Sequence, residues 1–303
     1  MANSITTGSI KLPASVSTEI WDKAQESSAV MQLAQPIELP GNGLSIPVVT
    51  GDPVADWVQE GAAKPVSTGT LGVKQMRAYT LAVIVPFSNQ FRNDYDSLYN
   101  ELVNRIPGVL ANKFDRTAFG FDAAPGDNFD TLDKAEGVNV NQTGSKVYDA
   151  FVDVDAAIAA NGSQLTGFAV SPQGRALVLK AKDSNGRPLF TASNGDSNLN
   201  AILGYPAYQS RAAYNAATTG GGNAKPATVG FAGDWTSARY GMVNDLEITI
   251  SDQATLTVSD GGSGTTTLNL WQQNMFAVRA EFRAGFVVRD IADFRKLTDG
   301  ASA

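Results

Sequence analysis

The chain has 303 residues, enough for one large domain or two to three sub-domains around a sizeable core. Apolar residues make up 43% and charged residues 17%, the balance of a globular protein rather than a disordered one. Lys and Arg number 23 against 30 Asp and Glu, and the net charge of −7 argues against a dedicated DNA or RNA binder, which needs a dense positive footprint. Cysteine and histidine are both absent. Their absence excludes disulfides, thiolate nucleophiles and thiolate metal sites, and also Ser-His-Asp triads and HExxH zinc sites. The first residues, MANSITTGSIKLPASVS, lack a basic stretch followed by an apolar run, so no secretion signal is expected. No segment approaches the roughly 20 apolar residues that span a bilayer. Synthesis and first folding are expected in a cytosol.

Residues 1–14 are small and polar and predict an arm. From Ser15 to Leu33 the apolar positions Val16, Ile20, Ala24, Val30 and Leu33 fall near helical spacing, with Ser15 or Ser17 available as a cap. Residues 35–50, QPIELPGNGLSIPVVT, are extended and broken by prolines. The following GDPVADWVQEGAAKPVSTGTLGVKQ, Gly51 to Gln75, is rich in turn formers yet carries Trp57 and the charges Glu60 and Lys64. A flexible linker would lack the tryptophan. A projecting hairpin that lies on a neighbour has a use for it, because an aromatic anchor buries a large area in a partner. The alternative is a surface loop whose Trp57 packs back on its own domain.

Residues 77–87, RAYTLAVIVPF, predict a strand dense in β-branched and aromatic residues. A long helix follows at about 94–121, with Leu98, Leu102, Ile106, Val109, Leu110, Phe114, Ala118 and Phe121 as its apolar stripe. Asn93 or Asp94 can cap it, Asp94 and Asp96 suit its N-terminal dipole, and Pro107 predicts a kink. A helix over Ser145–Ala160 precedes a strand at Gly167–Val170. Ser171-Pro172 then reads as an N-cap and N1 proline opening a helix to about Lys182. Asp183–Phe190 reads as a turn. Strands at Ala227–Phe231 and Leu246–Ile250 complete a mixed α/β region, and ATLTVSDGGSGTTTLNL predicts a hairpin. The tail reads as two alternating strands, Met275–Glu281 and Gly285–Val288, flanking Arg283 and Ala284.

Candidate chemistry is sparse. The glycine clusters at 41–43 and 220–222 lack the strand, helix and lysine context of phosphate loops and read as turns. The carboxylate pairs Asp94 with Asp96 and Asp153 with Asp155 match the residue types of a glycosidase, but a helix start and a solvated helix face account for them. Arg279, Glu281 and Arg283 alternate on one strand face, either as an exposed charge ladder or as inter-subunit ion pairs that set register. No catalytic, cofactor or metal residue is assigned.

The order of these parts resembles the tailed-bacteriophage major capsid protein family, the Hong Kong 97-like fold, over roughly residues 12–297. LPGNGLSIPVV and ADWVQEGAAKP resemble the entry and tip of that family's E-loop. LAVIVPFSNQF resembles the strand before its spine helix, and KFDRTAFGF, with Asp115 and Gly120, the end of that helix. GFAVSPQGRALVLKAKDSNGRPLF, LGYPAYQS and FAGDWTSARYGMV resemble segments of its axial domain, and VRAEFRAGFVVRDIADF its closing strands.

The resemblance implies an α+β capsid fold divided into an N-terminal arm and short helix (1–34), an E-loop (35–76), a peripheral domain with the spine helix (77–144), an axial domain (145–250) and return strands (251–303). It implies a non-enzymatic shell protein that assembles with itself as hexamers and pentamers into an icosahedral head around double-stranded DNA. The head is expected in the virion, assembled in the bacterial cytoplasm. The expected inter-subunit contacts are Trp57, Glu60, Lys64, Arg279, Glu281 and Arg283. The arm starts near Met1, so a separate scaffolding protein is expected, beside a portal and a maturation protease or decoration protein. DNA contact is expected to be weak and non-specific. Some family members cross-link an E-loop lysine to a neighbour's asparagine. Lys64 and Lys74 lie in the segment, but no partner asparagine or glutamate aligns. The alternatives are an encapsulin-type nanocompartment shell of the same fold and, remotely, a carboxylate hydrolase.

Overall fold

The computed structural model describes residues 10–11, 22–41, 43–51, 55–58, 64, 66, 70–89, 95–142, 146–182, 185, 187–190, 201–218, 225–243, 246–259 and 265–300. The helices are α1 (22–27), α2 (Ala29–Leu33), α3 (Tyr95–Ala118), α4 (Lys146–Ala159) and α5 (Pro172–Lys180). The strands are β1 (Ile10–Lys11), β2 (Gln35–Glu38), β3 (Leu44–Gly51), β4 (Thr70–Met76), β5 (Tyr79–Ser88), β6 (Glu136–Asn139), β7 (Gly167–Val170), β8 (Ala201–Ile202), β9 (Tyr205–Gln209), β10 (Thr228–Gly233), β11 (Ala238–Met242), β12 (Glu247–Ser251), β13 (Thr255–Ser259), β14 (Thr265–Asn269), β15 (Met275–Val288) and β16 (Phe294–Thr298).

The expected single N-terminal helix is interrupted. Ser28 leaves helical geometry and caps α2, its Oγ accepting from Met31 N, because serine competes for backbone groups at a helix start. The cap candidates Ser15 and Ser17 lie outside the described residues. At α5 the Ser171 side chain accepts from Gly174 N with Pro172 behind it.

Two six-stranded sheets organise the chain. β15 is the hub of the first. Along one edge it pairs successively with β12 and β11, and along the other with β5 from Met275↔Ser88 to Ala284↔Tyr79. The two tail strands expected from the sequence are therefore one continuous strand of 14 residues. Arg283 and Ala284 remain paired with Thr80 and Tyr79, which carries the ladder through the break in apolar alternation. The second sheet runs β6-β16-β10-β7-β9-β8. The two sheets exchange segments of chain. β11 and β12, grouped by sequence with the axial region, lie in the first sheet, while β16, grouped with the return strands, lies beside β10 in the second. Such partners are far apart in sequence, so local pattern does not reveal them.

α3 lays Ile106, Leu110 and Phe114 against the first sheet, where Phe114 meets Phe286 edge-on with ring centroids 6.5 Å apart. The helix runs through Pro107 and ends at Gly120, whose φ of +79° suits glycine at the turn. Beyond it Phe119 stacks on Phe231 of β10 at 4.7 Å and joins the helix end to the second sheet. α4 and α5 cover that sheet through Val147, Phe151, Val154, Ile158 and Val178.

Candidate assembly surfaces

The hairpin β3–β4 is built from residues that pair only with each other, from Leu44↔Met76 to Gly51↔Thr70. Its base is fastened in two ways. Gly241 and Gly285 face each other across β11 and β15. A Cβ at Gly241 would stand 1.9 Å from Leu39 Cδ1 and one at Gly285 3.1 Å from Met76 Cγ, so the glycine pair is the seat into which the buried Leu39, Ile46 and Met76 settle. Lys74 Nζ also bonds Asp130 Oδ2 at 3.0 Å and the Val288 carbonyl at 2.5 Å, and Asp130 accepts from Val288 N at 3.0 Å. Lys74 is thereby committed to its own subunit.

The tip is a different environment. Trp57 is 100% exposed, and Ala55, Asp56, Val58, Lys64 and Val66 are exposed with it. Among the described residues Trp57 does not pack back on its own domain. Its backbone N–H donates to Asp56 Oδ1 at 2.8 Å. Glu60 lies outside the described residues.

Arg279, Glu281 and Arg283 share the face of β15 opposite Val278, Ala280 and Phe282. Arg279 Nη2 stands 3.2 Å from Glu281 Oε1, an ion pair within one chain between partly exposed groups.

Three carboxylates to which the sequence analysis gave no structural role fasten the joints between these parts. Asp115 of α3 is fully buried without a cation. It accepts from Ser28 Oγ, Ala29 N and Val30 N of the α2 start and from Ser210 Oγ beyond β9. Burial raises its carboxyl from 3.8 to about 6, against the pull of those hydrogen bonds. Asp293 accepts from Ser163 Oγ at 2.6 Å, Asn161 Nδ2 at 2.9 Å and Arg289 Nη2 at 3.0 Å, tying the strand return to the α4–β7 connection. Burial opposes its charge, but these bonds outweigh that and hold it below the usual range. Asp130 is the third. The sequence signal was present at Asp115, an acid next to Phe114 on the inward side of an apolar helix.

Two shallow depressions of mixed polar and apolar lining open on the surface. One, about 870 Å³, runs along the paired strands β2 and β11 and is lined by Pro36, Ile37, Leu39, Tyr240, Met242 and Val243 together with the polar Gln25 and Glu38. The other, about 510 Å³, lies on the second sheet's helical side between α4 and β8–β9, with Tyr148, Val152 and Leu203 at its rim. Neither brings catalytic groups together. Asp153 and Asp155 are two positions apart on α4, a spacing that points side chains in different directions. Asp94 lies outside the described residues. Among the described residues no group of His, Cys, Asp or Glu is arranged to hold a metal ion, and no helix is long and apolar enough to cross a membrane.

The model of the phage capsid family matches residues 8–299. This chain belongs to the phage capsid family. Its sequence is 29% identical over 294 residues to the probable major capsid protein gp17 of Mycobacterium phage L5, covering 93% of this chain and 87% of the relative. It is 25% identical to the major capsid protein of Staphylococcus phage 80alpha over 92% of this chain and 82% of the relative. A solved chain of Gordonia phage Cozz superposes with a TM-score of 0.69 at 21% identity, covering 91% of this chain and 87% of the other. A chain from the capsid of an empty GTA particle computed with C5 symmetry superposes with a TM-score of 0.61 at 19% identity, covering 91% and 90%. The mixed arrangement of helix and sheet described above is thus a phage capsid fold.

Proposed function

We propose that the chain is a phage major capsid protein whose copies assemble as hexamers and pentamers into an icosahedral head around double-stranded DNA. The observation that supports this most is the family match, which runs through almost the whole chain rather than through one motif. The relatives from phages L5 and 80alpha favour a virion head over a cellular compartment.

On this reading the molecule divides in the Hong Kong 97-like manner. Residues 1–34 are the arm and short helix, 35–76 the E-loop, 77–144 the peripheral domain with its spine helix, 145–250 the axial domain and 251–303 the return strands, with β11 and β12 crossing into the β15 sheet and β16 into the sheet of β10. Function is geometric. α3 clamped on the β15 sheet supplies a stiff plate, and the carboxylate joints at Asp115, Asp130 and Asp293 keep its parts in fixed relation. The β3–β4 hairpin supplies overlap, with Trp57, Glu60 and Lys64 meeting a neighbour. Arg279, Glu281 and Arg283 meet another copy as weak, register-setting pairs. Many moderate contacts per copy then hold a shell that no single contact holds. A separate scaffolding protein, a portal and a maturation protease or decoration protein complete assembly in the bacterial cytoplasm. The net charge of −7 suits a wall that contacts packaged DNA only weakly.

The test is sedimentation of the purified protein, followed by negative-stain microscopy. Closed particles or five- and six-membered rings are expected. A stable monomer at high concentration, with no ring under any salt condition, contradicts the proposal.

A further inference from the structure

Trp57 is fully exposed, and an indole left in water at the tip of a hairpin is an anchor without a pocket. Among the described residues none packs on it. Leu44 packs with Leu39 at the hairpin base, and seven residue steps along β3 at about 3.4 Å each carry the chain roughly 24 Å away before the tip begins. The same chain carries a groove of mixed polar and apolar lining along the paired strands β2 and β11, open among the described residues. Leu39 and Tyr240, 4% and 5% exposed, form its floor, and Ile37, Met242 and Val243 are only partly covered at its sides.

The surroundings match in charge. Glu38 is exposed on the groove's rim, and Lys64 is exposed in the segment between β3 and β4. Neither side chain forms a hydrogen bond or ion pair with another described residue. Arg279, by contrast, already holds Glu281. The β2 edge is also closed to strand addition, since Pro36 has no N–H to offer, so a side-chain anchor fits the groove better than an added strand.

We propose that the groove of Pro36, Ile37, Leu39, Tyr240, Met242 and Val243 receives Trp57 from a second copy of this chain, with that copy's Lys64 set against Glu38. Anchor and groove lie on different parts of one molecule, so the contact is head-to-tail and closes into a ring when the rotation per copy divides a full turn. The inference rests on the shell reading and adds the acceptor site to it. Methionine at the groove wall lets one pocket accept the slightly different angles of five- and six-membered rings.

The chain contains no cysteine, which makes disulfide trapping clean. Trp57→Cys is paired in turn with Ile37→Cys, Met242→Cys and Val243→Cys, and particles are oxidised and run under non-reducing denaturing conditions. Multimer ladders are expected for at least one pair and monomer for each single variant. Glu38→Lys is expected to weaken the ladder and Lys64→Glu added to it to restore it.

The acceptor assignment is overturned by normal particles with no ladder from any of the three pairs. Capture of Trp57→Cys by Tyr148→Cys instead also overturns it. So does an internal disulfide between Trp21→Cys and Met242→Cys, which would show the groove filled from its own chain. If a pair blocks assembly, Met242→Cys alone decides: its alkylation is expected to be fast in free subunits and about tenfold or more slower in particles, as burial of an interface residue requires, and equal rates refute the proposal. Sedimentation separates the two levels. Absence of particles in the unsubstituted protein fells the shell reading itself, whereas particles with the wrong disulfide fell only the acceptor.

Discussion

Asp115 is a buried carboxylate held by four donors and no cation, and it makes an unusual prediction about pH. Its folded carboxyl is raised from 3.8 to about 6, mainly by burial. A raised carboxyl contributes stability that is complete below the unfolded value and is lost as pH rises through the folded one. A displacement from 3.8 to about 6 corresponds to about 3 kcal/mol in all, of which linkage places about 1.4 kcal/mol between pH 7.5 and pH 5. The unassembled subunit should therefore become more stable on mild acidification. The window is clear of other groups that usually titrate there, because the chain has no histidine. Asp122, lowered first by its bond from Lys113, and Asp293 lose their contributions only at lower pH, with the opposite sign. The assay is urea unfolding at pH 5 and pH 7.5, followed by circular dichroism on a variant lacking residues 54–68 so that assembly adds no stabilisation. Asp115→Asn should abolish the pH difference, and an equal slope in both proteins would refute the reasoning.

Deleting residues 54–68 should itself leave a soluble, folded subunit that does not assemble, and loss of the circular dichroism spectrum would show that the tip contributes to the core. Leu110→Asp places an unpaired carboxylate at a position 2% exposed, at a cost of several kcal/mol, comparable to total domain stability; insoluble or unfolded protein is expected, and normal particles would count against it. Mature particles boiled in detergent should run as one band near 31.9 kDa, since Lys74 is held by Asp130 and no partner set for Lys64 is recognisable. A multimer ladder would refute this, and Lys64→Arg and Lys74→Arg would identify the lysine. Trp57→Ala should give shells that dissociate at lower denaturant, by about 2 kcal/mol per contact, and unchanged shells would remove Trp57 from the interface.

Local pattern made much of the fold legible. The apolar stripe through Ile106, Leu110 and Phe114 is helix α3, the β-branched run through Val83, Ile84 and Val85 is β5, and Ser171-Pro172 opens α5. Pairing across long sequence distances was not legible. The continuity of β15 depends on β5 and β11 holding Arg283 and Ala284, and neither partner is implied by the tail itself. Asp115 was legible as part of the helix-end motif but not as a buried joint, because its donors stand 87 and 95 residues away, at Ser28 and Ser210. The groove was hidden for the same reason, since residues 36–39 meet residues 240–243 only through the parallel pairing of β2 with β11. Trp57 was conspicuous from composition alone, being a tryptophan in a stretch of glycine, proline, serine and threonine.

Cryo-electron microscopy of the purified, unsubstituted protein is the decisive measurement. Closed shells are predicted, built from five- and six-membered rings in which each β3–β4 hairpin lies over the adjacent copy. A monomer, or a particle in which every hairpin contacts only its own subunit, would contradict the shell reading.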